Sequence, residues 1–175
     1  MDTELKKILW SQICASIETM ENAVRACPVE VWSNSQKPEW NPRGIVGFWY
    51  LAWHTAFWLD FYMTDLKVEF APPEPLDLRE MGSGGLLPDL PYDKDVVLSY
   101  LAIGRGKAHV LLESTTDQMA PSRRKGLGIA ELFIYNIRHI QHHSAQMNLI
   151  LRQKVGSAPD WVSKGKAPFL QTNNS

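Results

Sequence analysis

A chain of 175 residues, 45% hydrophobic and 21% charged, has the size and composition of one globular domain with a real core rather than of a disordered segment. Its net charge of −1, with no Lys/Arg cluster on a helix face, lacks the electrostatic footprint of nucleic-acid binding; Arg123-Arg124-Lys125, the densest basic run, reads as a solvated loop. The longest apolar run, Ile45 to Phe61, is too short for a comfortable membrane span and carries His54 and Asp60.

The first predicted helix runs from about Thr3 to Ala26. Leu5, Ile8, Leu9, Ile13, Ile17, Met20 and Val24 recur at mostly three- and four-residue steps, and Pro28 lies just beyond its end. The opening segment reads as the start of this helix and not as a signal peptide. Cys14 and Cys27, the only cysteines, read as a reduced pair, and a soluble cytoplasmic protein is expected.

A link rich in turn formers follows, Ser33 to Pro38 and then Trp40 to Gly44. Asn41 and Pro42 suit the cap and first turn of a second helix reaching about Thr64. Residues 67–92 hold Pro72, Pro73, Pro75, Gly82, Gly84, Gly85, Pro88 and Pro91, and read as a loop. So long a connection is either functional or a plain crossover between helices running the same way.

A third helix is expected from Asp93 or Asp95, either of which can cap it, to Ser114. Its stripe is rougher, through Val96, Tyr100, Ile103, Lys107, Val110 and Leu111, with Gly104 and Gly106 weakening the middle. The fourth runs from about Gly126 to Gln153. With no strand pattern and no repeat, the expected fold is all-α: a four-helix bundle with a long crossover between helices 2 and 3 over residues 1–155. Residues 156–175 are a strap or tail of the same domain.

The fourth helix carries the chemistry. His139, His143 and Gln146 stand at steps of four and three, so a helix places both imidazoles and the amide on one face, one turn apart. Phe133, Ile140, Met147 and Leu151 form the core-facing stripe beside them. His54, in the apolar stretch Phe48 to Phe61 of the second helix, is expected to be at least half-buried and must find partners for both ring nitrogens.

Three imidazoles from two facing helices would give a zinc-like or nickel-like ion three ligands and leave positions open for water or substrate. Gln146 is placed to hydrogen-bond a ligand or a metal-bound water. His142, about 100° round the helix from His143, belongs at the rim, and His109 at the core boundary. Trp49, Tyr50, Trp53, Phe57 and Trp58 around His54 read as core, as a substrate-stacking pocket or as a homodimer interface. There is no H-E-x-x-H, C-x-x-C, paired E-x-x-H, G-x-S-x-G or phosphate loop. No carboxylate is spaced as a general base on the fourth helix, since Glu131 points away from the apolar stripe.

The run Asn136-Ile-Arg-His139-Ile-Gln-His-His143-Ser-Ala-Gln146, closing on Leu151-Arg152, resembles the final signature of the DinB/YfiT-like superfamily, H-x-x-x-H-x-G-Q followed by an apolar stretch. The Pro/Trp turn and a second helix with one histidine extend the likeness over roughly residues 1–155. The resemblance implies a commonly dimeric four-helix bundle that binds a divalent ion through His54, His139 and His143. Zinc and nickel lead, with iron and manganese as the other candidates. It further implies a metal-dependent enzyme of the thiol-transferase or hydrolase type, acting on a small molecule or a low-molecular-weight thiol. The alternative is a non-catalytic stress-response or binding protein with a structural or vestigial metal. Ala145 stands where the motif has Gly, which leaves metal binding little affected. Ser144 stands where Arg is frequent, which removes an anion contact from that position.

Overall fold

The computed structural model describes residues 1–34, 47–65, 68–82, 91–116 and 126–168. Among them the chain is all-helical: α1 (Thr3–Ala26), α2 (Val29–Trp32), α3 (Phe48–Met63), α4 (Lys94–Ser114) and α5 (Ile129–Val155), with a 3-10 turn at Arg79–Met81. The expected cap at Asn41 and Pro42, the basic run 123–125 and most of the Gly82–Gly85 segment lie outside the described residues. No helix among those described is long and apolar enough to cross a membrane.

The apolar periodicity of α1 does what a three-to-four spacing dictates. Leu9, Ile13, Ile17, Met20 and Val24 are buried, while Leu5 and Ile8, nearer the free end, stay exposed. Asp2 accepts a bond from the Glu4 amide at the N-cap. The short helix α2 was not visible in the sequence, because four residues are too few to carry a period. α1 packs on α4 and α5, and α3 packs on the same two helices.

The stripe expected on α4 is rotated from the one it buries. Ile103 and Val110 are exposed, and the core face is Val97, Tyr100, Leu101, Gly104, Ala108 and Leu112. The reason is close approach. A Cβ on Gly104 would stand 2.9 Å from Leu59 Cδ2, so this glycine lets α3 and α4 meet and is not a weak point between them. Asp93 occupies the N-cap of α4 without a side-chain capping bond, and Asp95 lies in the first turn. α5 starts with the Glu131 carboxylate accepting from the Gly128 amide and ends at Gly156, whose φ of 81° is the left-handed C-cap conformation.

Residues beyond α5 form a strap across α1. The Gly165 amide donates to Ser11 O at 3.0 Å, Trp10 Nε1 to Ala167 O at 2.9 Å, and the Lys166 amide to Glu18 Oε1 at 2.7 Å. The strap lies so close to α1 that a Cβ on Gly165 would meet Cys14 Cβ at 2.3 Å. Cys14 and Cys27 are free, buried thiols, pushed up to about 12 and about 11 by burial.

The aromatic face of α3 is covered within the chain: Trp49, Trp53 and Phe57 are fully buried. The 68–82 segment lays Phe70 against Phe57 and Phe61 and buries Leu76. These buried rings are therefore core. The half-buried residues of α3 are Tyr50, His54, Trp58 and Phe61, a row that includes His54 itself.

Candidate metal centre

His54 on α3 and His139 and His143 on α5 meet where those two helices pack. The helical repeat puts His139 and His143 one turn apart, and buried Phe133, Ile140, Met147 and Leu151 hold that face of α5 inward. His139 Nε2 lies 3.3 Å from His54 Nε2 and 3.1 Å from His143 Nε2. One ligand atom from each ring can be chosen so that all fall within 4.8 Å of one another. Tyr135 lies parallel to His139, and Tyr50 and Trp58 flank His54.

The outer nitrogens of two rings each face an oxygen acceptor. His54 Nδ1 donates to Glu80 Oε1 at 2.5 Å, and His143 Nδ1 donates to Gln146 Oε1 at 2.7 Å. Because a carboxylate and an amide carbonyl offer no hydrogen, the ring hydrogens sit on Nδ1. Both Nε2 atoms then turn lone pairs toward His139. One hydrogen on His139 Nε2 satisfies one of them at most; a cation satisfies all three. With metal–nitrogen bonds of about 2.0–2.1 Å, ligand nitrogens on one ion stand about 2.9–3.4 Å apart, a range that contains the two separations from His139. With all three ligand atoms within 4.8 Å of one another, the group could hold a divalent ion.

Electrostatics favour the same use. Burial lowers the pKa of His143 from 6.5 to about 4, against the opposing hydrogen bond to Gln146, and the neighbouring imidazoles His54 and His142 lower it further. Its ring is neutral at ordinary pH, as a ligand must be.

All three histidines read from the sequence are therefore together, and Gln146 touches a candidate ligand. His142 is exposed on the rim. His109 sits away from the cluster, edge-on to Trp10 and 4.0 Å from Glu113. Glu131 is spent on the helix cap.

Glu80 is the residue that sequence reasoning missed. It also accepts from Trp58 Nε1 at 3.1 Å, and its side chain is 8% exposed. It comes from the 3-10 turn, in a segment with no periodicity to announce it. The only signal was the improbable length of the 67–92 connection.

An open cleft of about 480 Å³ runs beside His139, lined by Tyr135, Arg138, His139, Gln141 and His142. A second hollow of about 430 Å³, between the end of α3 and α4, is lined by Met63, Val68, Ile103, Lys107 and Val110 among others and contains no histidine. No family model matches the chain, and neither a curated protein nor a solved structure matches it.

Proposed function

We propose that the chain is a divalent-metal-binding protein of DinB/YfiT-like type, a four-helix bundle acting as a metal-dependent enzyme on a small molecule or low-molecular-weight thiol. The observation that carries this is the convergence of three Nε2 atoms, two of them with lone pairs aimed inward because oxygen acceptors hold their Nδ1 hydrogens. His54, His139 and His143 would hold the ion, while Glu80 and Gln146 hold two of the rings. When bound, zinc or nickel would act as a Lewis acid that lowers the pKa of a coordinated thiol or water.

Two features favour a thiol over hydrolysis. Among the described residues, the carboxylate bonded to the cluster is that of Glu80; it already accepts from His54 and Trp58, so it is not poised to take a proton from water. A thiol, once ionised, needs no separate base. Arg138 is an exposed cation on the cleft beside His139, and it supplies the charge for an anionic substrate that Ser144 cannot.

Metal analysis of the purified protein tests the site. About one zinc, nickel or iron per chain is expected, lost in His139→Ala. After cobalt substitution, addition of a small thiol should shift the visible spectrum. An ion retained by the His54/His139/His143 triple alanine variant overturns the site. A cobalt spectrum that no thiol or small anion perturbs overturns the enzyme reading in favour of a binding protein with a structural ion.

A further inference from the structure

We infer that Glu80 is a positioning residue for the metal centre: its carboxylate fixes the tautomer of His54, so the 68–82 segment governs how tightly the three imidazoles hold a cation. The inference rests on the metal-site reading above and adds a determinant of affinity that lies on none of the helices bearing the ligands.

Glu80 faces inward from a turn that otherwise faces out. Leu78 and Met81 on either side are each 48% exposed, while the Glu80 side chain is nearly covered. A carboxylate loses hydration on burial and stays there only with donors to replace the lost water. Its Oε1 has two, His54 Nδ1 and Trp58 Nε1, one turn apart on α3. The turn is held in place by its own contacts. Asp77 Oδ1 accepts from the Arg79 amide at 2.9 Å, Asp77 pairs with the Arg79 side chain at 2.7 Å, and buried Leu76 anchors the segment.

The consequence for His54 follows from valence. Its imidazole has one hydrogen to place on two nitrogens when neutral. On Nδ1 the hydrogen meets Glu80, and Nε2 keeps the lone pair 3.3 Å from His139 Nε2. On Nε2 it would point into the cluster, where it would compete directly with an ion. Glu80 can only accept and therefore selects the first arrangement. Trp58 contributes by tethering the same oxygen, which keeps the carboxylate from swinging to solvent. Gln146 plays the matching part for His143 but from a neighbouring turn of its own helix, so α5 needs no help from outside. His54 depends on a segment distant in sequence.

The test uses the full-length protein with Glu80→Met, similar in size but without an oxygen acceptor, and with Glu80→Gln, which keeps an acceptor without the charge. Imidazole nitrogen NMR of the metal-free protein should report His54 with its hydrogen on Nδ1 in the wild type and a shift toward Nε2 in Glu80→Met. Zinc affinity, read by competition with a chromophoric chelator, should fall about 10- to 100-fold in Glu80→Met and less in Glu80→Gln. Helical circular dichroism of the two variants, which a purely structural role would alter in step with affinity, should stay as in the wild type. If Glu80→Met does not fold, Glu80→Ala, which also lacks an acceptor, carries the test through the same two readouts. Unchanged zinc affinity and an unchanged His54 tautomer in the folded variant overturn the role of Glu80 while leaving the metal site standing. A wild-type protein that binds neither zinc, nickel nor cobalt overturns the site itself.

Discussion

Helix α3 carries two ionisable clusters within two turns of each other, built on opposite principles. At Asp60, whose side chain is fully buried, the charge is answered from inside: Lys107 Nζ pairs with Oδ1. Lys107 also donates to Thr64 Oγ1 at 3.0 Å and stands 5.9 Å from the Phe70 ring centre. The Tyr100 phenol, buried beside the same carboxylate, has its pKa raised by burial and by that negative charge, so it stays protonated. At His54 three imidazole nitrogens face one another, and the outer partners of two of them turn lone pairs inward. Opposite groups turned toward each other complete an interaction. Two lone pairs turned toward one imidazole nitrogen leave at least one to be completed by something else. The first cluster is a strut between α3 and α4, and the second is the candidate site.

That distinction predicts opposite responses to the same experiments. Zinc at a thousandfold excess over its dissociation constant should stabilise the wild type by about 4 kcal/mol, measured as a shift in chemical denaturation. His139→Ala should abolish the shift, and Lys107→Met should keep it. In the metal-free protein the ranking reverses. Lys107→Met strands the Asp60 carboxylate in the core and should destabilise the fold by about 3 kcal/mol. Metal-free His139→Ala should lose no more than about 1 kcal/mol, since it relieves the crowding of like donors as it removes packing. If metal-free His139→Ala proves the more destabilising of the two, the histidines are structural and the comparison fails.

The parts legible in the sequence were those with local periodicity. α1 showed its bounds through apolar spacing and the following proline. His139, His143 and Gln146 were readable because a helix converts steps of four and three into one face, and His54 because a lone imidazole in a run of aromatics needs partners. Glu80 was not legible, since a residue delivered by an irregular segment has no spacing relation to what it touches. The Asp60–Lys107 pair failed for a related reason. Lys107 fell on the stripe assigned to the core of α4, and only the packing of α4 on α3 through Gly104 shows that it lies beside that core and reaches in. Secondary structure followed from near neighbours, and the polar pairings that separate strut from site did not.

Acid acts on the histidine cluster at a smaller scale. The unfolded chain protonates His143 near its ordinary value of 6.5, and the folded metal-free protein only near about 4. Between those values the unfolded state binds more protons, so stability contributed by the neutral ring is full above about pH 6.5 and is lost as the pH falls toward about 4. Discounted for the part of the ring that solvent reaches, the loss should be about 2 kcal/mol. Denaturation curves across that window should be flatter for His143→Gln. Thr64→Val is the smallest perturbation, since it removes one acceptor from Lys107 and leaves the ion pair to Asp60. About 1 kcal/mol should be lost, with zinc affinity unchanged, because nothing in the strut touches an imidazole. If Thr64→Val weakens zinc binding, the two clusters are coupled through α3, and neither can be treated as independent of the other.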